Sequence, residues 1–304
     1  MAITILIHTD YFFKTQLNRL ISIFPLRSIF SYHHSVDPEF GHYFAGLIEG
    51  HGALILKHTN GIYKACSLQI VFHINDLEFV KVLHQRIGHG HISLFRKTQT
   101  VKLHIQELTG LLFIIHLING KMRTPHIHAL YYIIDWLNSH KLDKPIDKLP
   151  LNTSPFSDNS WLSGFIDTNG RFTINGFTNN PKLYPGFRFN VCQRDMHISD
   201  ANYKPILNRI ADWLKVSLCP RNKNFQWNIT TSNNLSHDIL ITYLTSFPLF
   251  TSKYLNFMDW LHVYNLVKDN KHKNPKIYKI IRIIKSNMNQ NRQIFLWEHL
   301  NKFY

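Results

Sequence analysis

Apolar and polar residues alternate with a period of two in several short runs, and each run reads as a β-strand with one wet face. Val101, Leu103 and Ile105 alternate with Lys102, His104 and Gln106, and Phe172 and Ile174 with Arg171, Thr173 and Asn175. Phe187, Phe189 and Val191 alternate with Arg188, Asn190 and Cys192, with Arg194 following on the polar side; Phe225, Trp227 and Ile229 alternate with Gln226, Asn228 and Thr230. Between these runs the apolar period lengthens to that of a helix. It predicts helices over Asp76 to Ile87, Pro125 to Leu137, Asp200 to Val216 and Lys253 to Val267.

Two stretches share one plan. EFGHYFAGLIEGHGALIL (39–56) and NSWLSGFIDTNGRFTI (159–174) each read as a short apolar helix that ends at a glycine and turns into a strand. Gly46 and Gly50 stand one helical turn apart in the first, and Gly164 and Thr168 hold the matching places in the second. Small residues on one stripe let two helices approach backbone to backbone. With Ala45 and Ser163 they are the expected contacts between the copies. The organisation is α+β, with an αββαββα pattern per copy: an N-terminal extension (1–36), a first repeat (37–139), a proline-bearing linker (140–158), a second repeat (159–269) and a basic helical extension (270–304).

Charge sharpens the picture. The 304 residues carry a formal net charge of +15, an excess that points to a polyanionic partner. Acids are nearly absent from the polar strand faces, and Arg, Asn and Gln make bidentate contacts with phosphates and base edges. The candidate binding residues are Lys57, Arg96, Lys97, Lys102 and His104 in the first repeat, and Arg171, Thr173, Asn175, Arg188, Asn190, Arg194, Arg221, Lys223, Gln226 and Asn228 in the second. Lys276, Lys279, Arg282 and Lys285 extend the set onto the C-terminal helix, opposite an expected apolar stripe of Ile277, Ile280, Ile281, Ile284 and Met288. A truncation after about Asp269 is expected to leave the core folded.

The richest apolar run, Leu111 to Ile118, is too short to span a membrane. Three cysteines without CxxC spacing predict reduced thiols, and HGH (89–91) and HIH (126–128) lack zinc-site spacing, so no metal is expected. The Ile, Asn, Lys, Phe and Tyr bias is that of an AT-rich organellar genome. Lys14, Arg19 and Arg27 against Asp10 have a transit-peptide flavour, but synthesis within a mitochondrion is the expectation.

These motifs resemble the LAGLIDADG homing-endonuclease and maturase family over about residues 37–270. FAGLIEGHG (44–52) and LSGFIDTNG (162–170) match its two signature helices. NGKMRTPHIHALYYIIDWLN (119–138), LPLNTSPFSDNSWLSGFID (149–167) and FPLFTSKYLNFMDW (247–260) resemble its repeat end, linker and closing helix. The resemblance implies a pseudo-symmetric monomer whose two saddle-like sheets grip a duplex, with Mg²⁺ held in active relatives by an acid at the penultimate position of each signature. Those positions here are His51 and Asn169. Glu49 and Asp167, two residues earlier, point elsewhere on an ideal helix and are expected in local hydrogen bonds. The expectation is therefore a chain that has lost endonuclease activity. It would bind RNA in preference to DNA inside a mitochondrial ribonucleoprotein, as a ribosome component or assembly factor, with intron maturase and residual homing endonuclease as the alternatives.

Overall fold

The computed structural model describes residues 37–59, 62–139, 142, 144–178, 185–194, 202–221 and 226–304. Lys223, Phe225 and the first 36 residues lie outside the described residues. The first repeat runs α1 (Pro38–His51), β1 (Gly52–Thr59), β2 (Ile62–His73), α2 (Leu77–Ile87), β3 (His91–Phe95), β4 (Thr100–Ile105), α3 (Leu108–Ile118) and α4 (Ile127–Ser139). The second repeats it as α5 (Trp161–Asn169), β5 (Gly170–Asn175), β6 (Gly186–Arg194), α6 (Lys204–Trp213), β7 (Leu218–Arg221), β8 (Gln226–Thr231), α7 (Asn234–Ser246) and α8 (Ser252–Lys268), before α9 (Pro275–Ser286). Each repeat forms one antiparallel four-stranded sheet, ordered β1-β2-β4-β3 and β5-β6-β8-β7. Each copy also has one helix more than the expected αββαββα. α3 is apolar on nearly every side, so it carries no periodic signal, and α7 mixes Ser, Thr and His among its apolar residues.

Alternation along the strands sorts the faces. Val101, Leu103 and Ile105 are fully buried, as are Phe172 and Ile229, while Arg171, Arg188 and Arg194 are exposed. In the second repeat Phe172 packs at tilted angles against Phe189, Phe257 and Trp260, which joins the sheet to α8.

α1 and α5 meet where their glycines leave room. A Cβ on Gly46 would lie 2.0 Å from the Trp161 carbonyl oxygen, and one on Gly164 would lie 1.9 Å from that of Tyr43. A Cβ on Gly50 would meet the Thr168 hydroxyl at 1.7 Å. Ala45 is buried. Ser163 turns away from α1: its N–H donates to the Tyr243 hydroxyl at 3.0 Å and its own hydroxyl to the Phe247 carbonyl, so its place is against α7 of its own repeat.

Two carboxylates cross-strap the pair. Glu49 accepts the N–H groups of Arg123 (2.9 Å) and Thr124 (2.6 Å) and the indole N–H of Trp161 on the facing helix. Asp167 accepts the N–H groups of Phe250 (2.7 Å) and Thr251 (3.2 Å) and the hydroxyl of Tyr43 on the facing helix at 2.7 Å. These partners correct the expectation of local bonds: they come from chain that is distant in sequence, because both carboxylates are buried inward, between the helix pair and the loops entering α4 and α8.

The C-terminal segment also differs from the expectation. On α9 only Ile281 is buried, and Ile280 is 51% exposed, because consecutive helical residues lie about 100° apart and cannot share one narrow stripe. The tail then returns to the centre. Phe303 packs edge-on against Phe40, Tyr43, Phe79 and Phe250 from both repeats, and Tyr304 lies against Tyr43 and Phe250. Arg292 ties the returning segment to Asp259 and Asn256 of α8. Truncation after Asp269 therefore removes core, contrary to the expectation above, and should lower the thermal midpoint of the whole chain; an unchanged melting curve would return the tail to the surface.

Two further outcomes follow from the helix pair. Gly46→Ala or Gly164→Ala forces backbone against backbone, and should destabilise by at least about 2 kcal/mol in urea unfolding despite a gain of ~1 kcal/mol in helix propensity. Burial pushes the Glu49 carboxyl up to about 7 and that of Asp167 up to about 6, against donors that favour the anion. The folded chain thus holds protons that unfolded carboxyls, with pKa values of ~4, have released. That stability is present below about pH 4 and lost as pH rises through 6 to 7. Glu49→Gln should remove on the order of 2 kcal/mol of the difference in unfolding free energy between pH 5 and pH 8. An identical pH profile in the variant would show that Glu49 is ionised throughout.

Candidate nucleic-acid interface

Neither sheet contains an Asp or Glu in any of its strands. The polar face of the second sheet is ordered by register: Arg171 sits opposite Asn190, Thr173 opposite Arg188, Cys192 opposite Asn228, and Arg194 and Arg221 opposite Gln226. Asn190 and Asn228 both donate to the Thr230 hydroxyl, at 2.6 and 2.7 Å, which fixes their amides side by side. Arg171, Thr173, Asn175, Arg188, Asn190, Arg221 and Asn228 line one groove of about 640 Å³. The strands thus bring most of the second-repeat candidates to a single surface.

The first sheet offers a different chemistry. Lys102 and His104 stand on β4 opposite Val71 and Gln69 of β2 on one side and Ser93 and His91 of β3 on the other. Lys57 lies on β1, and Arg96 and Lys97 project from the exposed β3–β4 turn. The Lys102 ammonium is 5.4 Å from the Phe95 ring centre. Sequence patterning missed Gln69, His73 and His91 as face residues, whereas it had already placed Thr230 on the polar side of its strand. HGH was the available sign for His91, but β2 and β3 had no assigned register, and register decides which side chains share a face.

The C-terminal cations do not act as one set. Lys276, Lys279 and Arg282 are exposed on α9. Lys285 donates to the Gly176 carbonyl at 2.6 Å, and so serves to dock α9 beside the end of β5.

Between the sheets lie the ends of α1 and α5. His51 lines a cavity of about 400 Å³ together with Asp76, Asp167, Thr168, Arg171 and Lys253. Lys253 was not singled out by the sequence. It donates to the Asp167 and Thr168 carbonyls at 2.9 and 2.5 Å, capping α5. Burial brings its ammonium down to about 8, although Asp167 and Asp76 favour the charge. Partial burial, and then the nearby Lys253, hold the His51 imidazole below its ordinary pKa. Asn169 opens onto the groove of the second sheet and donates to Gln193 at 3.2 Å.

A hard divalent ion needs anionic oxygens. The helix ends offer an imidazole beside an ammonium and one amide, while Glu49, Asp167 and, in the same cavity, Asp76 accept backbone N–H groups. Among the described residues no cluster of three His, Cys, Asp or Glu could hold a metal. This donor set does not fit Mg²⁺.

The sequence profile of the LAGLIDADG endonuclease family matches residues 162–264. The chain is 26% identical to "Intron-encoded DNA endonuclease aI3" of Saccharomyces cerevisiae, over 87% of this chain and 73% of that protein. It is 36% identical to "Probable intron-encoded DNA endonuclease aI1" of Mycosarcoma maydis, over 30% of this chain and 78% of that protein. It is 25% identical to "Intron-encoded RNA maturase bI4" of Saccharomyces cerevisiae, over 88% of this chain and 40% of that protein. The fold matches the crystal structure of the LAGLIDADG homing endonuclease I-GzeII in complex with its DNA target, with a TM-score of 0.68 at 20% identity over 85% of this chain and all of the other. These relatives correct the expectation of lost endonuclease activity. Two of them are named DNA endonucleases. By its two signature helices, its paired four-stranded sheets and these relatives, the chain belongs to the LAGLIDADG endonuclease family.

Proposed function

We propose that this chain is an intron-encoded protein of the endonuclease class that clamps a DNA duplex against the polar faces of its two sheets. The observation that carries the proposal is the absence of acids from the eight strands found among the described residues of a chain with net charge +15. Among the described residues, no ion pair involves a strand cation; the pairs are Lys81–Glu78, Lys148–Asp135, Lys268–Asp238, Lys271–Asp269 and Arg292–Asp259. A solvated sheet face ordinarily mixes both signs of charge. One that keeps its guanidinium and ammonium groups unneutralised is suited to phosphates, and the major groove of B-DNA is wide enough for a β-ribbon.

DNA is the better-supported partner: the solved relative is bound to a DNA target, and two sequence relatives are named DNA endonucleases. The expected preference for RNA, and a place in a ribosome, have no comparable support. The one observation favouring an RNA role is the maturase relative, which matches along most of this chain. Strand cleavage by this chain has to draw on donors other than a helix-end carboxylate pair. The AT-rich composition and the intron-encoded relatives support a mitochondrial origin. Among the described residues no helix is long and apolar enough to cross a membrane.

Selection from a randomised duplex DNA library, followed by titration at several salt concentrations, tests this reading. Arg171→Ala and Arg188→Ala should each weaken binding of the selected duplex and lower the salt slope by about one for every phosphate left unneutralised. Equal affinity in both variants would move the interface off the second sheet. A protein that enriches no duplex, but co-purifies with one intron transcript from organelles, would favour the maturase reading.

A further inference from the structure

The two polar faces differ in one respect that matters for binding an anion. On the second sheet the cations are guanidinium groups, charged at every physiological pH, and their neighbours are amides and hydroxyls. On the first sheet imidazoles occupy corresponding ground. His91 and His104 are direct register partners across β3 and β4, and their ring centres lie 5.0 Å apart, edge to face. His73 stands on β2 at the end of the same face, with its Nδ1 accepting the Asn75 N–H at 3.2 Å. Imidazole is the side chain whose charge changes near neutral pH.

The surroundings of the His104 ring oppose a proton. Partial burial, His91, Lys102 on the same strand and Lys57 on β1 all hold the His104 ring below its ordinary pKa, and Glu107 just beyond β4 opposes them weakly. Arg96 and Lys97 in the β3–β4 turn add no negative charge. A phosphodiester placed on this edge would supply the missing counter-charge to both rings at once.

Resting on the proposed duplex binding, we infer that the β3–β4 edge of the first sheet is a proton-linked phosphodiester subsite, at which the His91–His104 pair gains a proton as nucleic acid binds. The first sheet then grips its half of the duplex more tightly as pH falls through the imidazole range, while the second grips with fixed charge. Exposure favours the arrangement: His91 is open to solvent and His104 is half-exposed, so both rings can reach a backbone lying over the edge.

The test uses the full chain and one labelled duplex from the selection, with affinity measured at pH 7.5 and pH 6.0 at constant ionic strength. The unaltered chain should bind about fivefold more tightly at pH 6.0, within the tenfold per pH unit that one linked proton permits. His91→Gln with His104→Gln should reduce that gain to less than about twofold, whereas His128→Gln on the exposed side of α4 should leave it intact. His104→Arg, which fixes the charge, should bind well at both pH values. Calorimetry in buffers of different ionisation enthalpy should count about half a proton taken up on average by the unaltered chain, as a fivefold change over this pH range requires, and markedly less by the double variant. Binding without pH dependence, or pH dependence that survives in the double variant, would overturn the subsite and leave duplex binding standing. Absence of binding at either pH would overturn both.

Discussion

Everything in this molecule depends on two backbones touching. Gly46 and Gly164 carry no Cβ, so each presents bare main chain to a carbonyl of the facing helix, Trp161 or Tyr43. At that separation no water fits between the helices, and polar groups there must find protein partners or be left unsatisfied. Glu49 and Asp167 answer the requirement. Each takes one donor from the opposite helix and two or more from the loop entering the last helix of its own repeat. A contact made of missing atoms thereby fixes the sheets, the loops and the cavity at the helix ends.

The acids of the chain are placed as deliberately by the fold as the bases. Several of those on helices are paired with cations, as Glu78 is with Lys81, Asp135 with Lys148 and Asp259 with Arg292, and Glu49 and Asp167 on the signature helices are buried in hydrogen bonds. The strands carry none. The result is a separation of charge by secondary structure, with the negative groups spent on holding the scaffold and the positive groups left on the sheets. A positive field of this kind raises the rate at which a polyanion is captured as well as the affinity.

Much of this was legible in the sequence, because period and spacing report local geometry. The second sheet's alternation placed Arg171, Arg188 and Asn190 on one face, and the glycine spacing placed Gly46 and Gly164 where the two helices meet. What escaped was whatever depends on distant chain meeting. α3 hid because a helix buried all round has no amphipathic period. Lys253 sits in a recognisable motif, yet its approach to His51 exists only after α8 folds against α5. Phe303 and Tyr304 lie far from any signature and read as tail, although they complete the aromatic centre between the repeats. Ser163 shared a stripe with Gly164 on paper but faces the opposite way, since neighbouring residues on a helix diverge by about 100°.

The cross-straps have a consequence for how such chains can be recombined. Tyr43 of one half serves the carboxylate of the other, and Trp161 returns the service, so the two halves recognise each other through a matched set of aromatic donor and acid. A half transplanted from a relative would bring its own donor and its own acid. A phenylalanine in place of Tyr43 would leave a buried carboxylate one donor short, and a bulkier residue in place of Gly46 would hold the partners apart. Compatibility between halves is therefore written at a few positions of two short helices, and a viable hybrid has to inherit those positions as a pair while its strand faces remain free to change.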